Sequence, residues 1–449
     1  MNCKKKFLDT LGPSILPHSA AFLGHKEMFQ NFSARASGSR GIERIAELER
    51  SLARGEGRES SSSTAMAIAE RAHARLGLLG NPSDIYGGKA LAVSVANYAA
   101  TVTLRANFDS KDETIHVVPG EGEREGGVKL IESLLSVFFD DPPLRHLRSE
   151  RQTGFTLTYT SNIPYQVGLS GSSAIVCAAL RCLVRYYEVE ELIPRARLPN
   201  LVLEAETKLG IVAGYMDRVQ QVSEGEEGGG ERARATRTER PREEEADADA
   251  APHAFTLLDP PRAVPAEQVY GGLVFMDFNS RYFESEGFGR YERLDVSRLP
   301  RLHLMHLRES GGQSGRIHSD VRRRFLEGDT EVAEAMREFA GIAERGRSIL
   351  VGSAEGGEDG AVAEALAGEM RSNFALRRKL FGDAVLGAEN LEMVELAESM
   401  GAAAKFTGSG GAIAVLCPDG DRQVRSIAEE CDRRGFAFVE VDVAPASEW

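Results

Sequence analysis

The chain has few cysteines and lacks long apolar runs. Its 449 residues include five cysteines, an odd number, and no two of them form a Cys-x-x-Cys pair. The sequence therefore predicts neither a disulfide framework nor a zinc site, and a reducing compartment is the default for such a chain. No apolar run approaches the roughly 18 residues that a membrane-spanning helix needs, so we expect no membrane partner.

Positive charges are outnumbered by negative ones. The chain carries 54 Lys and Arg against 68 Asp and Glu, which gives a formal net charge of -14. This balance argues against nucleic-acid partners and against a basic membrane surface, although it leaves room for local basic pockets that bind acidic ligands. Hydrophobic residues make up 42% of the chain, and its length suggests two or three domains with an ample core.

Two tracts lack the composition of a packed core. Residues 1–66 join a basic start to a serine run, which predicts a disordered extension or a transit segment. We accordingly expect a cytoplasmic protein, or a plastid protein if that tract is a transit peptide. Residues 223–268 are rich in Glu, Arg and Gly, which predicts a disordered low-complexity insertion.

The most informative stretch runs from Pro164 to Ala174 and contains two glycines and three serines. The alternating residues 155–160 before it predict a half-buried strand, and the Ala- and Leu-rich residues 175–187 after it predict a helix. Such a loop presents backbone N–H groups to an anion, because glycine frees the backbone and a helix N-terminus carries unpaired donors. The serine hydroxyls at 172 and 173 can cap the helix or reach a phosphate-bound metal. From this loop alone, a capped turn that binds nothing is an equal interpretation.

Periodicity elsewhere mixes strands with helices, which predicts an α+β class. Strands are expected over 74–80, 90–104, 115–118, 155–160, 269–278, 302–307 and 437–441. A second glycine-rich turn, 405–416, is expected to enter a strand. Helices are expected over 128–139, 175–187, 199–209, 318–326, 332–350, 362–381, 391–400 and 421–434.

One carboxylate, Asp217, lies in the otherwise apolar segment 211–219. An ionised carboxylate is costly to bury unless another group pairs with it or a reaction uses it. A structural ion pair with the adjacent Arg218 is the simplest explanation of its position.

Three segments, taken in order, resemble the motifs of the GHMP kinases, the superfamily of galactokinase, homoserine kinase and mevalonate kinase. Residues 74–84 resemble the first motif, a strand that leads into the substrate turn. Residues 164–174 resemble the phosphate loop Pro-x3-Gly-Leu-x-(x)-Ser-Ser, in the longer form of fucokinase-like members, and residues 405–412 resemble the third motif. The resemblance implies a two-domain α+β fold, with a ribosomal-protein-S5-like N-terminal domain over 67–298 and a ferredoxin-like C-terminal domain over 299–449.

A finer resemblance is to the plant-type glucuronokinases. It is carried by Leu78–Asp84, Ile163–Ala179, Arg197–Leu203, Leu209–Val222, Tyr270–Phe278, Gly315–Ser319 and Lys405–Gly411. That family phosphorylates D-glucuronate at C1 with ATP and Mg²⁺, which feeds UDP-glucuronate synthesis, so the resemblance implies this activity and these cofactors. The alternatives are another GHMP sugar kinase, of galacturonate, galactose or fucose type, and a non-catalytic sugar sensor derived from a kinase.

The resemblance also implies roles for individual residues. Asp217 takes the place of the catalytic aspartate that accepts or orients the anomeric hydroxyl, and Arg75 matches the arginine that steadies developing charge. Glu206 takes the place of the Mg²⁺ carboxylate, with Glu204 as its rival, because two residues so spaced on a helix cannot face one point. The implied ATP-binding residues are Pro164, Gly168, Leu169, Ser170, Gly171, Ser172, Ser173, Ala174, Gly408, Gly410 and Gly411, of which Ser172 and Ser173 are also implied metal ligands.

The sugar end of the implied site departs from galactokinases. Asp84 matches their aspartate that binds sugar hydroxyls, but Asn81-Pro82 stands where they carry Glu-His. We hypothesise that the missing acid relieves repulsion against a substrate carboxylate, so Asn81 joins Asp84 and Asp217 as a substrate-binding residue. The carboxylate also needs a cation, for which the candidates are Arg218, Arg281, Arg316, Lys405 and His318.

Overall fold

A computed structural model describes residues 67–107, 114–147, 154–211, 214–222, 271–279, 283, 285, 287–308, 319–352 and 359–445. The predicted extension 1–66 and the predicted insertion 223–268 lie outside these residues. Three of the cation candidates, Arg281, Arg316 and His318, also lie outside them. Within the described ranges, no helix combines the length and the apolar character needed to cross a membrane.

Six described strands form the first sheet, in the order β3-β4-β2-β5-β6, with β1 paired to β2. Strand β2 is 18 residues long, so one end of it pairs with β4 while the other pairs with β5. All of these pairs are antiparallel except β3 with β4. The strands are β1 (Ala67–Leu79), β2 (Lys89–Ala106), β3 (Ile115–Pro119), β4 (Phe155–Ser161), β5 (Leu273–Asp277) and β6 (Arg290–Leu294).

The second sheet is antiparallel and has the order β10-β7-β9-β8. Its strands are β7 (Leu302–Leu307), β8 (Ala403–Phe406), β9 (Ala412–Leu416) and β10 (Phe436–Glu440). The two sheets meet at β1, where Gly77 N donates to Thr407 O at 3.0 Å, and at β2, where Ala96 N donates to Asp442 O at 2.7 Å. The division of the chain at residues 298 and 299 into two domains remains a prediction.

Helices cover both sheets. The described helices are α1 (Glu125–Asp140), α2 (Gly171–Tyr187), α3 (Leu198–Lys208), α4 (Met216–Val222), α5 (Ser319–Leu326), α6 (Thr330–Gly352), α7 (Asp359–Phe381), α8 (Asp383–Leu386), α9 (Ala388–Ser399) and α10 (Asp421–Arg434). Helix α2 packs against β1 and β2 and is buried along nearly its whole length. Each fully buried Leu or Val on it contributes about 1.5–3 kcal/mol, so this helix fixes the position of the loop that precedes it.

The α+β prediction is confirmed, and the differences from the expected elements have physical causes. Strand β1 begins at Ala67, before the expected 74, because its first half alternates buried and exposed residues and includes charged ones. Helix α2 begins at Gly171 rather than at 175, although glycine and serine are weak helix formers. Strand β6 was not predicted, because its short sequence Arg-Tyr-Glu-Arg-Leu carries no clear apolar period.

Candidate functional site

Arg75 on β1 joins the three motif segments and is only 3% exposed. Its guanidinium forms an ion pair with Asp217, donates to Ser170 Oγ, and donates to Thr407 O at 2.5 Å. These partners belong to α4, to the loop before α2, and to the glycine-rich turn between β8 and β9. Because a buried charge is costly unless it is paired, this one side chain fixes three distant segments relative to each other.

Asp217 lies in the first turn of α4, and its side chain is 15% exposed. Arg75 pairs with its Oδ1. The alternative explanation of Asp217 as the ion-pair partner of Arg218 is wrong, because Arg218 pairs instead with Glu206, and both of those side chains are 0% exposed. With 3.6 residues per turn, neighbouring residues on a helix point about 100° apart and reach different elements.

Glu206 on α3 lies beside the serine pair of the loop. Ser173 Oγ donates to Glu206 Oε1 at 2.9 Å and Ser172 Oγ donates to the same oxygen at 3.2 Å, while Arg218 holds Oε2. Of the two roles open to these hydroxyls, the structure does not show capping of α2, because the helix begins at Gly171 and both hydroxyls donate to the carboxylate. The rival Glu204 is exposed.

This cluster consists of oxygen atoms, which are the ligands that Mg²⁺ prefers. Two hydroxyls and one carboxylate oxygen meet within hydrogen-bond distance. Among the described residues, no group of three or more His, Cys, Asp or Glu side chains could hold a metal ion. A Mg²⁺ ion held by few protein ligands plus phosphate oxygens and water does not need such a group, so these residues fit the ion.

The two glycine-rich loops lie directly against each other. A Cβ atom at Gly168 would lie 2.7 Å from Gly410 O, and one at Gly408 would lie 2.5 Å from Gly168 O. Gly411 has a φ of +87°, and a Cβ there would lie 2.6 Å from Val167 Cα. Side chains do not fit at such distances, so only glycine permits this approach. The structure thus brings together the glycines of the second and third motifs.

The remaining loop residues divide into buried and partly exposed ones. Leu169 and Ala174 are buried in the core, at 1% and 0% exposure, so only their backbone atoms are left for a ligand. Pro164, Gly171 and Ser170 are partly exposed. Ser170 has a φ of +59°, in the left-handed region that costs a non-glycine residue free energy. Such conformations concentrate at functional sites, where the surroundings hold them in place.

Asp84 is brought close to Asp217 by the turn that follows β1. It is 5% exposed, and its Oδ2 accepts a hydrogen bond from Met216 N at 3.3 Å. Burial and the nearby Asp217 raise the pKa of Asp84 to about 6, although the Met216 N–H and nearby arginines oppose the shift. A Cβ at Gly214 would lie 1.8 Å from Asp84 Oδ2, so the glycine before α4 is required for this approach.

Asn81 contacts a buried lysine. Lys405 on β8, which is 1% exposed, donates from Nζ to Asn81 Oδ1 at 2.8 Å. Asn373 on α7 supports the same turn, since its Oδ1 accepts from Gly80 N at 2.8 Å and its Nδ2 donates to Asn81 O at 3.4 Å. Two of the cation candidates are described. Lys405 lies at the turn that contains Asn81, whereas Arg218 forms an ion pair with Glu206.

Several supporting residues had no sequence signal. Asn390 Oδ1 accepts from Gly411 N at 2.7 Å and so holds the third-motif turn. Tyr165 is 52% exposed, and the guanidinium of Arg124 lies 3.8 Å from its ring centroid. Asn373 and Asn390 are single polar residues on helices far from the motifs in sequence, where nothing distinguishes them from solvated surface residues.

Comparisons with known proteins identify relatives of this chain. Residues 142–225 match the family model of the GHMP kinases N terminal domain. Glucuronokinase 1 from Arabidopsis thaliana is 38% identical over 395 residues, which cover 85% of this chain and 93% of that protein. Probable glucuronokinase 2 from the same organism is 38% identical over 390 residues, which cover 84% of this chain and 91% of that protein.

Solved structures are similar in fold. A Lactococcus lactis galactokinase complexed with galactose matches with a TM-score of 0.59 and 14% identity, over 90% of this chain and 100% of that one. An L. major mevalonate kinase in complex with R-mevalonate matches with a TM-score of 0.55 and 13% identity, over 86% of this chain and 99% of that one. These structures confirm the predicted two-domain α+β fold, and the extended identity to the curated relatives goes further. The chain belongs to the GHMP kinases and, within them, to the glucuronokinase family.

Proposed function

We propose that the protein is an ATP- and Mg²⁺-dependent sugar-1-kinase that phosphorylates D-glucuronate to glucuronate 1-phosphate, a precursor for UDP-glucuronate synthesis. The single observation that supports it best is the convergence on Arg75 of Asp217, the phosphate loop and the third-motif turn. The names of the two Arabidopsis relatives support the choice of sugar. The two domains of this kinase are proposed to be 67–298 and 299–449.

Asp217 is the proposed base at the anomeric hydroxyl. Since Arg75 holds its Oδ1, the other carboxylate oxygen is left to accept the hydroxyl proton or to orient the hydroxyl for in-line attack. Asp84 lies beside it and accepts hydrogen bonds from other sugar hydroxyls. Both carboxylates approach the sugar from one side, because Asp84 is held against the start of α4 by Met216 N.

The phosphate groups of ATP are proposed to bind where the two glycine loops meet the N-terminus of α2. Backbone N–H groups of the loop and the favourable end of the helix dipole stabilise negative charge there. The loop residues are Pro164, Gly168, Leu169, Ser170, Gly171, Ser172, Ser173 and Ala174. Gly408, Gly410 and Gly411 close the opposite side.

Ser172, Ser173 and Glu206 are the proposed holders of Mg²⁺. When bound, this ion neutralises charge on the transferred phosphoryl group. Glu206 Oε1 accepts hydrogen bonds from both serine hydroxyls, and Oε2 forms the ion pair with Arg218. Oε1 is therefore the carboxylate oxygen left for the Mg²⁺ ion. Arg218 holds the Glu206 carboxylate in this orientation.

A substrate panel with ATP and Mg²⁺ tests the proposal, with glucuronate, galacturonate, galactose and fucose as acceptors. We expect glucuronate to react fastest, and Asp217→Asn to lower kcat by roughly 10²–10⁴-fold. The matched control is Asp421→Asn, which makes the same change at an exposed aspartate paired with Arg301 and should leave activity unchanged. Phosphorylation of galactose but not glucuronate would show that the proposed substrate is wrong. Sugar binding without turnover in the wild type would favour a non-catalytic sensor.

A further inference from the structure

Two buried cations near each other, one of them beside the turn after β1, have no carboxylate partner in the described part of the chain. Lys405 and Arg377 are each 1% exposed. The guanidinium of Arg377 lies 5.0 Å from the ring centroid of Phe406 and 5.3 Å from that of Phe381. Its Nε and Nη2 atoms are buried without a hydrogen-bond partner among those residues.

Lys405 is surrounded by neutral oxygen atoms. Besides Asn81 Oδ1 at 2.8 Å, its Nζ donates to Gly77 O and to Phe406 O, both at 2.7 Å. Burial, and then nearby Arg377 and Arg75, lower the pKa of Lys405 well below its ordinary value. The charged form of Lys405 is therefore disfavoured while no anion is near, and an anion bound beside Asn81 would stabilise it.

The lysine dictates the orientation of the Asn81 amide. Three oxygens surround Nζ, one of them Asn81 Oδ1. They match the three N–H donors that Lys405 has in its charged form, which has no acceptor, so the oxygen of the amide faces the lysine. Its Nδ2 is thereby directed away and donates no hydrogen bond among the described residues. Asn81 is only 3% exposed, and a buried N–H donor is costly to leave without a hydrogen-bond partner.

We infer that Asn81 Nδ2 binds the substrate carboxylate and that Lys405 is the positioning residue that orients this amide. The inference rests on the proposed function. A carboxylate only accepts hydrogen bonds, so it is matched by an N–H donor with a positive charge behind it. A glutamate at position 81 would neutralise Lys405 and present acceptors instead. Asp84 lies on the same short turn, so a sugar hydroxyl and the carboxylate would be held together.

The first test is Asn81→Asp, which keeps the shape and the acceptor for Lys405 and should therefore fold. It replaces the donor with a negatively charged oxygen. We expect kcat/KM for glucuronate to fall roughly 100-fold or more. The binding of glucose, which has the same ring with a neutral C6 group, should change less than about threefold. Calorimetry measures sugar binding and a coupled assay measures turnover.

The second test asks whether the contact of Lys405 with Asn81 matters, or only the presence of a buried positive charge nearby. Lys405→Met should raise KM for glucuronate roughly 10- to 100-fold, with a smaller effect on kcat and on glucose binding. Arg377→Met is the matched control, because it also removes a buried cation beside Phe406 but does not touch Asn81; we expect less than about a threefold change. Thermal unfolding by circular dichroism checks that each variant folds.

The outcomes distinguish the inference from the proposed function. A wild type that binds and phosphorylates no uronate would overturn both. A wild type that phosphorylates glucuronate, combined with equal losses for glucuronate and glucose in Asn81→Asp, would overturn the inference alone. Loss of glucuronate selectivity in Arg377→Met with none in Asn81→Asp would also overturn it, since the carboxylate would then depend on Arg377.

Discussion

The two ends of the candidate site differ in how their charges are balanced. At the phosphate end, both buried arginines have carboxylate partners, Arg75 with Asp217 and Arg218 with Glu206. At the sugar end, Asp84 is buried without a salt bridge to a cation among the described residues, while Lys405 donates only to neutral oxygens.

The paired charges hold the phosphate end in place before a ligand binds, whereas the unpaired groups at the sugar end are available to bind one. A paired buried charge is already satisfied, so the phosphate end keeps its geometry with or without a ligand. An unpaired buried group costs stability until a ligand supplies its partner. Removing a charge should therefore destabilise the protein at the phosphate end and stabilise it at Asp84.

The largest expected effect is that of Arg75→Met. The substitution leaves Asp217, Ser170 Oγ and Thr407 O without their shared donor, so the free energy of unfolding should fall by roughly 3–5 kcal/mol. The kcat value should fall by more than roughly 10²-fold, because the proposed base loses its orientation. Urea unfolding and steady-state kinetics measure the two quantities.

The control for this change is Arg301→Met, which removes an exposed arginine paired with Asp421. Exposed ion pairs contribute little to stability, so we expect almost no change in unfolding or activity. Equal destabilisation by the two substitutions would contradict the claim that Arg75 organises the site.

Asp84→Asn is expected to raise the free energy of unfolding, whereas Arg75→Met lowers it. The pKa of Asp84 is raised from 3.8 to about 6, so between these values the folded state binds more protons than the unfolded state, and stability falls as pH rises. Above pH about 6, Asp84 is ionised in both the folded and the unfolded state, and the full cost of burying its charge is present. The asparagine variant should therefore be more stable by about 1–3 kcal/mol at pH 8 and unchanged near pH 4, while its affinity for the sugar falls.

Urea unfolding at both pH values measures this effect. Asp295→Asn is the control, because the pKa of that exposed carboxyl is lowered by hydrogen bonds from Ser297, and its loss should not stabilise the protein at any pH. A destabilised Asp84→Asn variant at pH 8 would show that the carboxylate is compensated in the folded state.

Sequence patterns predicted much of this fold but few of its long-range contacts. Apolar periodicity located most strands and helices, and the motif resemblance placed Arg75, Asp217, Ser173 and Glu206 in one site. Local patterns could not identify the partner of Arg218, because Asp217 and Glu206 are both acidic and only the packing of α3 against α4 chooses between them.

The contact between Lys405 and Asn81 could not be predicted from the sequence either. It joins residues 324 positions apart, and each side chain taken alone is typical of a solvated turn or strand end. Lys405 was one of five cation candidates, and its burial became visible only when β8 was placed against β1. Contacts of this kind arise from the meeting of the two sheets, for which a single sequence carries no periodic signal.

The smallest effect is expected from removing the predicted insertion, residues 223–268. Helix α4 ends at Val222 and β5 begins at Leu273, and Gln220 Nε2 donates to Gly272 O at 3.1 Å and to Ser94 Oγ at 2.6 Å. The chain thus returns close to the point where it left, so a short Gly-Ser linker can replace the tract.

Loop-closure entropy changes slowly with length, by about 0.6 kcal/mol for each doubling. We therefore expect the deletion to change the free energy of unfolding by less than about 1 kcal/mol. The kcat/KM value should stay within about twofold, which corresponds to a similarly small free energy. Substituting Gln220→Ala in the deleted chain is the sensitive control, since it removes the contact that brings the two ends together. A folded deletion variant with a tenfold loss of kcat/KM would instead assign the tract a role at the sugar end, because α4 and β5 both border Asp84 or its turn.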